Sequence, residues 1–137
     1  MNYKIYLSPP SQNGLEKQAI NAALDSNWLA PVGPSLDQFE NSLSAIHENK
    51  PVLCVNSGTA AIHLALQLCG VGKGDEVLVG THTHNATVNP IIYQGASPVF
   101  VDSEEDTWNI SPVFLEKAIK HRLNSGVKPK AILIVHL

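Results

Sequence analysis

Charge, aromatic rings and cysteine are all scarce in this 137-residue sequence. Charged residues make up 15% of the chain, aromatic residues make up 6%, and the formal net charge is −3. A chain with so weak and slightly negative a charge lacks the basic field that drives sequence-independent binding to nucleic acid or to anionic membranes. We therefore expect neither nucleic acid nor a membrane as a partner.

Two cysteines, Cys54 and Cys69, are too few for a disulfide framework. No apolar run approaches the roughly 20 residues that a membrane-spanning helix needs. The N-terminus also lacks the basic region and sustained apolar stretch of a secretory signal. These absences predict a cytoplasmic protein, and the 44% of hydrophobic residues suffice for one globular domain with a real core.

Two common phosphate-binding fingerprints are missing as well. No Gly-x-Gly-x-x-Gly follows the first predicted strand, and no Gly-x-x-x-x-Gly-Lys-Ser/Thr occurs anywhere in the chain. The glycine-rich stretch 71–76 follows a helix instead of preceding one, so it predicts a tight connector. The sequence therefore has neither a dinucleotide fingerprint nor a nucleoside-triphosphate P-loop.

The first third of the sequence predicts helices and irregular structure. Apolar residues recur at helical spacing over 13–26 and over 35–48, where Ser35 is placed to cap the second helix. An extended arm is expected over 5–10, and the prolines and glycine of 27–34 predict a shaped loop around Trp28.

Strand and helix signals alternate through the rest of the chain. The predicted strands are 51–55, 76–79, 98–102 and 130–137, and the predicted helices are 60–69, 86–94 and 112–122. Near-continuous apolar strands that alternate with helices are typical of an α/β fold, a mostly parallel sheet sandwiched by helices. The last strand reaches Leu137 without a polar cap, so we expect a truncated domain that aggregates or depends on a partner when isolated.

The turn Ser57–Gly58–Thr59–Ala60 joins a predicted strand to a helix through small residues. A helix N-terminus offers unpaired N–H groups and a positive dipole end, and small hydroxyl residues let a phosphate approach them closely. A hydroxyl of this turn could equally cap the helix with no ligand present. On the residues alone, both interpretations stay open.

A second polar turn, 81–85, follows the next predicted strand and contains His82 and His84. In parallel α/β sheets, ligands bind outside the carboxyl ends of strands, so the two turns can share a ligand. Two histidines at this spacing also fit a metal pair, but no Cys, Asp or Glu with matching spacing accompanies them. The alternatives are solvated loop histidines or ligand contact, and we predict no metal site.

Several ordered motifs resemble the DegT/StrS-type aminotransferases over essentially the whole chain. They are Asn27–Trp28–Leu29 with Gly33–Pro34 and Phe39–Glu40, the stretch Asn56–Leu66, Gly72–Val77, and Gly95–Asp102. The resemblance implies the large domain of a pyridoxal phosphate-dependent transferase, incomplete here. It divides the chain into an N-terminal arm, helix and substrate-mouth loop over 1–34 and the first part of the cofactor-binding domain over 35–137.

The resemblance also implies roles for individual residues. The cofactor phosphate is expected at Thr59 and Ala60, with Ser57 and Gly58 shaping the turn. His84 stands where the family usually has an aromatic ring that stacks on the pyridine of pyridoxal 5′-phosphate. An imidazole can stack too, with less surface.

The same family resemblance implies substrates and partners. The expected reaction moves an amino group from an amino acid, glutamate, to a nucleotide-linked keto-sugar, in a homodimer of the full-length protein. No catalytic residue is identified in this chain, because no lysine matches the family's Schiff-base motif, and the 137 residues alone are expected to be inactive. The alternatives are a cofactor-dependent sugar dehydratase on the same scaffold and a non-catalytic α/β binding module.

Overall fold

The computed structural model describes Ile5 and residues 9–137, which form two compact units, one before and one after the boundary between Cys54 and Val55. Residues 6–8 of the extended arm predicted over 5–10 lie outside the described residues. Among the described residues, no helix is long and apolar enough to cross a membrane. The division of the chain at residue 34 stays a prediction.

The first unit contains helices α1 (Glu16–Asp25) and α2 (Pro34–Ile46). The prediction that Ser35 caps α2 is wrong, because α2 begins at Pro34 with Gly33 as its N-cap. Proline suits the first helical position, where its fixed φ is already helical and its missing N–H would have had no helical acceptor. The N-cap of α2, Gly33, thus lies two residues before the predicted N-cap, Ser35.

The second unit is an α/β structure, which confirms the predicted fold class. Its elements in chain order are α3 (Gly58–Leu68), β1 (Glu76–Gly80), α4 (Asn85–Tyr93), β2 (Ser97–Val101), α5 (Pro112–Asn124) and β3 (Ala131–Leu133). The strands are all parallel and lie in the order β2-β1-β3. The central strand is therefore the first of the three along the chain.

Strand β1 is buried on both faces. Val77 and Val79 pack in one cluster with Leu66 of α3 and Ile91 of α4, while Leu78 lines a groove with residues of α5. The three β1 side chains have no solvent-accessible surface. Such a strand has no room for polar chemistry along its length, so reactive side chains must lie beyond its ends.

An ion pair fastens α5 to the beginning of β1. The Arg122 guanidinium donates two hydrogen bonds to the Glu76 carboxylate, and both side chains are largely buried. The hydrogen bond to Glu76 raises the pKa of Arg122 above its usual value. This bidentate contact holds α5 against the first residue of β1, at the end of the sheet opposite the polar turns.

Two strand predictions differ from the structure. Residues 51–55 form no strand, and the Cys54 N–H donates to the Glu40 carboxylate at 2.8 Å instead of to a neighbouring strand. The last strand ends at Leu133, not Leu137, because β1 pairs with it only over three residues. An apolar pattern supplies the side chains of a strand, but a ladder also requires a partner backbone.

The loop between α1 and α2 depends on Gly33, and this makes a test. Gly33 has a φ of 136°, and a Cβ there would lie 1.7 Å from Nε1 of Trp28. Gly33→Ala should therefore lower the free energy of unfolding by more than the roughly 1–3 kcal/mol that a sparsely populated backbone conformation costs alone. The amides of Leu36 and Asp37, which donate to the Gly33 carbonyl at 3.0 Å, should exchange with solvent faster.

Gly14→Ala is the matched control, because Gly14 also has a positive φ, 93°, but has no atom within 4 Å of the added Cβ. It should leave the exchange of Leu36 and Asp37 unchanged. Equal acceleration in both variants would show that the contact with Trp28 is not what Gly33 provides.

Candidate functional site

The carboxyl edge of the sheet is where the polar turns of this chain collect. From β1 the chain passes through α4 to β2 on one side, and it later returns through α5 to β3 on the other side of β1. Such a reversal of strand order opens a crevice at the carboxyl ends of the strands, the usual ligand position in open α/β sheets. The turn 81–84 leaves β1 at this crevice.

The N-terminus of α3 belongs to the same edge. Helix α3 precedes β1, and its last residue, Leu68, leads through a short connector to the first residue of the strand. The helix therefore runs opposite to β1, packed on it through Leu66. Its first turn, which contains Ser57 as the N-cap, thus lies beside the carboxyl ends of the strands.

The cap of α3 satisfies part of the helix end and leaves part of it free. The Ser57 hydroxyl accepts from the Ala60 N–H at 3.2 Å, and the Ser57 carbonyl accepts from the Ala61 N–H at 3.1 Å. Within the described residues, the N–H groups of Gly58 and Thr59 have no acceptor. Two donors therefore remain for a ligand at the positive end of the helix dipole.

The space and charge around these donors suit an anion. A Cβ built on Gly58 has no atom within 4 Å, so the approach to the first turn is open. The first turn of α3 has no acidic residue. Thr59, the second residue of the helix, adds a hydroxyl beside the free N–H groups. The residues of this turn fit a phosphate group, which needs several short donors and no opposing carboxylate.

The turn after β1 is held by hydrogen bonds at both of its ends. The Thr81 N–H donates to the Val101 carbonyl at 3.0 Å, and its hydroxyl donates to the Asp102 carboxylate at 3.3 Å. The Thr83 hydroxyl donates to that of Thr87, a buried residue of α4, at 2.9 Å. These bonds connect the end of β1 to the end of β2 and to the next helix.

His84 is the N-cap of α4. Its Nδ1 accepts from the Ala86 N–H at 3.1 Å. The bond fixes the ring at the beginning of the helix, where the side chain is exposed. His84 thus presents an oriented aromatic surface at the carboxyl edge.

His82 and His84 make contacts with different parts of the structure. His82 packs edge-to-face on Trp108, with ring centroids 5.5 Å apart, while His84 is turned toward α4. Across the described residues, no group of three or more His, Cys, Asp and Glu side chains is arranged to hold a metal ion. The described geometry therefore offers no support for the metal alternative.

The predicted site residues gather at two helix beginnings that share one sheet edge. Ser57, Gly58, Thr59 and Ala60 form the cap and first turn of α3, and His84 caps α4. Their roles as cofactor ligands stay predictions. Sequence reasoning did not single out Asp102 or Trp108, although a polar residue directly after a strand, as Asp102 is, was a signal for this edge.

The fold and the edge together define a class of protein. The chain superimposes on the crystal structure of NtdA from Bacillus subtilis with bound cofactor PMP, with a TM-score of 0.76 and 30% identity over 99% of this chain and 32% of that one. This is the fold of pyridoxal phosphate-dependent aminotransferases, as the resemblance implied. The expected cofactor is confirmed at the level of the family.

The chain belongs to the DegT/DnrJ/EryC1/StrS aminotransferase family, whose model matches residues 10–137. It is 50% identical over its whole length to EpsN of Bacillus subtilis, named for pyridoxal phosphate-dependent aminotransferase activity, and covers 35% of that protein. It is 42% identical over 93% of its length to the GDP-perosamine synthase of Escherichia coli O157:H7, covering 34% of it. The chain thus spans about a third of the length of these relatives.

Proposed function

We propose that this chain is the part of a pyridoxal phosphate-dependent sugar aminotransferase that holds the cofactor phosphate and covers one face of the cofactor ring. The observation that carries the proposal is the pair of helix beginnings at one sheet edge. One beginning has two free N–H groups beside open space, and the other has an oriented imidazole. Membership in the family supports the assignment.

The phosphate lies, in this proposal, on the first turn of α3. The N–H groups of Gly58 and Thr59 and the Thr59 hydroxyl donate to its oxygens, while Ala60 leaves room beside them. Ser57 acts indirectly, because its hydroxyl accepts from the Ala60 N–H and so fixes the conformation of the turn. Helix dipole and backbone donors together favour a dianion at this position.

His84 is proposed to lie against the pyridine ring. Its Nδ1 is engaged with the Ala86 N–H, so the ring is held in one orientation for stacking. Bound pyridoxal phosphate supplies an electron sink for amino transfer, and the described residues bind and orient it.

The rest of the proposal concerns the complete gene product. The name GDP-perosamine synthase, borne by one relative, supports a nucleotide-linked sugar as the acceptor, and the name of a Bacillus subtilis relative, a spore coat polysaccharide biosynthesis protein, supports a role in polysaccharide synthesis. We propose in addition a keto-sugar as the form of the acceptor, glutamate as the donor, and a cytoplasmic homodimer. Residues 1–34 are proposed to line the substrate mouth and 35–137 to begin the cofactor-binding domain. None of the eight lysines of the chain matches the family's cofactor-bonding lysine, so these 137 residues bind cofactor without turnover.

The phosphate assignment is tested by two substitutions that both keep the helix cap. Asparagine and aspartate are both good N-caps, so Ser57→Asn and Ser57→Asp should both fold. Aspartate places a negative charge beside the phosphate position and should weaken pyridoxal phosphate binding about tenfold or more. Titration followed by absorbance would measure this, and pyridoxal without its phosphate is the control, since its affinity should change little. If both variants bound pyridoxal phosphate with equal affinity, the assignment of the phosphate to this turn would be wrong.

The two roles of His84 are separated by another pair. His84→Asn keeps a cap but loses the ring, and His84→Phe keeps a ring but loses the cap. His84→Phe should destabilise α4 by about 0.5–2 kcal/mol and accelerate exchange of the Ala86 amide. His84→Asn should weaken cofactor binding by roughly two- to tenfold, the range for one aromatic pair. If both variants bound the cofactor as the wild type does, the ring contact would be wrong.

The reaction is tested on the complete gene product with isotopically labelled glutamate, pyridoxal phosphate and a nucleotide-linked keto-sugar. Mass spectrometry of the sugar should show the labelled amino group. A sugar that has lost water instead would identify a dehydratase, and an unchanged sugar would identify a binding module. The 137-residue chain assayed beside it should give no turnover, because it has no cofactor-bonding lysine.

A further inference from the structure

Trp108 has a backbone conformation that bulky residues rarely adopt. Its φ is 63°, in the left-handed region. Four non-glycine residues in the described ranges have a positive φ, and Trp108 is the aromatic one among them. For a large side chain this is a genuine outlier, and such strain persists only where surrounding structure imposes it.

The loop around Trp108 imposes this conformation. Ser103 and Ile110 form an antiparallel bridge, and within it the Glu104 N–H donates to the Asn109 carbonyl at 2.9 Å. The Glu104 carboxylate accepts from the N–H and the hydroxyl of Thr107. Trp108 is thus clamped between two residues that are each held by the loop's own bonds.

The charge of Glu104 keeps this clamp closed at neutral pH. The Thr107 hydroxyl, and after it the backbone N–H groups of Asp106 and Thr107, lower the pKa of the Glu104 carboxyl. A carboxyl whose pKa is lowered in the folded state stabilises that state at pH values above the ordinary pKa of glutamate. This stabilisation is lost as the pH falls through the folded-state pKa. The carboxylate is therefore a stable acceptor wherever the enzyme would work.

The clamped conformation directs the indole onto His82. The two rings meet edge-to-face at an interplanar angle of 88°, an arrangement that aromatic pairs favour. The indole is nevertheless 60% exposed, so burial in a core does not explain its position. The strained backbone thus places the indole against His82, in the turn after β1.

Side chains of that turn make three hydrogen bonds that also anchor it. Thr81 is bound to Asp102, Thr83 to Thr87, and His84 to the Ala86 N–H. Asp102 and Trp108 lie at two ends of the same loop. The loop after β2 therefore holds the turn after β1 at two successive residues, Thr81 by a hydroxyl and His82 by its ring.

We propose that Trp108 is a positioning residue, whose strained backbone presses its indole on His82 and thereby fixes the turn that presents His84 to the cofactor. This rests on the proposed function only for the consequence at the cofactor. The contact between the loop and the turn belongs to the chain itself.

Two variants test the proposal. Asparagine accepts the left-handed conformation far better than tryptophan does, so Trp108→Asn relieves strain while it removes the ring. The complete gene product should melt at the wild-type temperature or above it. Exchange of the Ala86 amide should nevertheless accelerate by roughly two- to tenfold, the effect of one lost aromatic pair, and cofactor affinity should fall by a similar factor. Trp108→Phe should restore much of both.

The Ala60 amide, capped by Ser57, is the internal control because it reports on a different helix beginning. Its exchange should not change in either variant. Unchanged exchange at Ala86 in Trp108→Asn would overturn the proposal, and so would equal acceleration at Ala60 and Ala86, since that indicates general loss of stability. If the wild type bound no pyridoxal phosphate, the proposed function would fall, while the exchange rates would still decide the role of Trp108.

Discussion

Complete burial of β1 is the constraint on which the rest of the second unit depends. With helices against one face, α5 against the other and a parallel strand on each side, β1 has no surface at which a polar side chain could meet a ligand. The backbone groups of the strand are committed to its neighbours. Chemistry is therefore displaced to the turn that follows Gly80 and to the helix beginnings around it.

At those helix beginnings, the same residues that stabilise the fold prepare the site. A helix start has more N–H donors than its own carbonyls can satisfy, and the caps divide them. In α3, Ser57 takes one donor and leaves two others to a ligand. In α4, the Nδ1 of His84 accepts from one donor, and the ring is thereby oriented. Capping and ligand binding are complementary uses of one set of groups.

The positions of the helices and of the parallel strands followed from local patterns, because apolar residues at helical spacing, short apolar runs and Gly or Pro boundaries indicated them. The prediction of a strand over 51–55 was wrong for a reason that the pattern of apolar residues cannot show. Its residues have strand-like side chains, yet Cys54 donates its N–H to the Glu40 carboxylate, and the described part of the chain contains no strand paired with 51–55. The start of α2 was displaced in a similar way, because Pro34 and Gly33 served as helix signals in preference to the Ser35 hydroxyl.

The sequence by itself determined the family, the α/β alternation and the two polar turns, because each is a local pattern of residues in order. Whether those turns meet depended on the packing of α3 against β1 in the opposite direction, which brings the start of α3 and the end of β1 to one edge. Only the tertiary structure decided that His84 is a cap and that Trp108 packs on His82. The ring contact joins residues far apart in the chain, and the cap depends on a rotamer, so no residue pattern specifies either one.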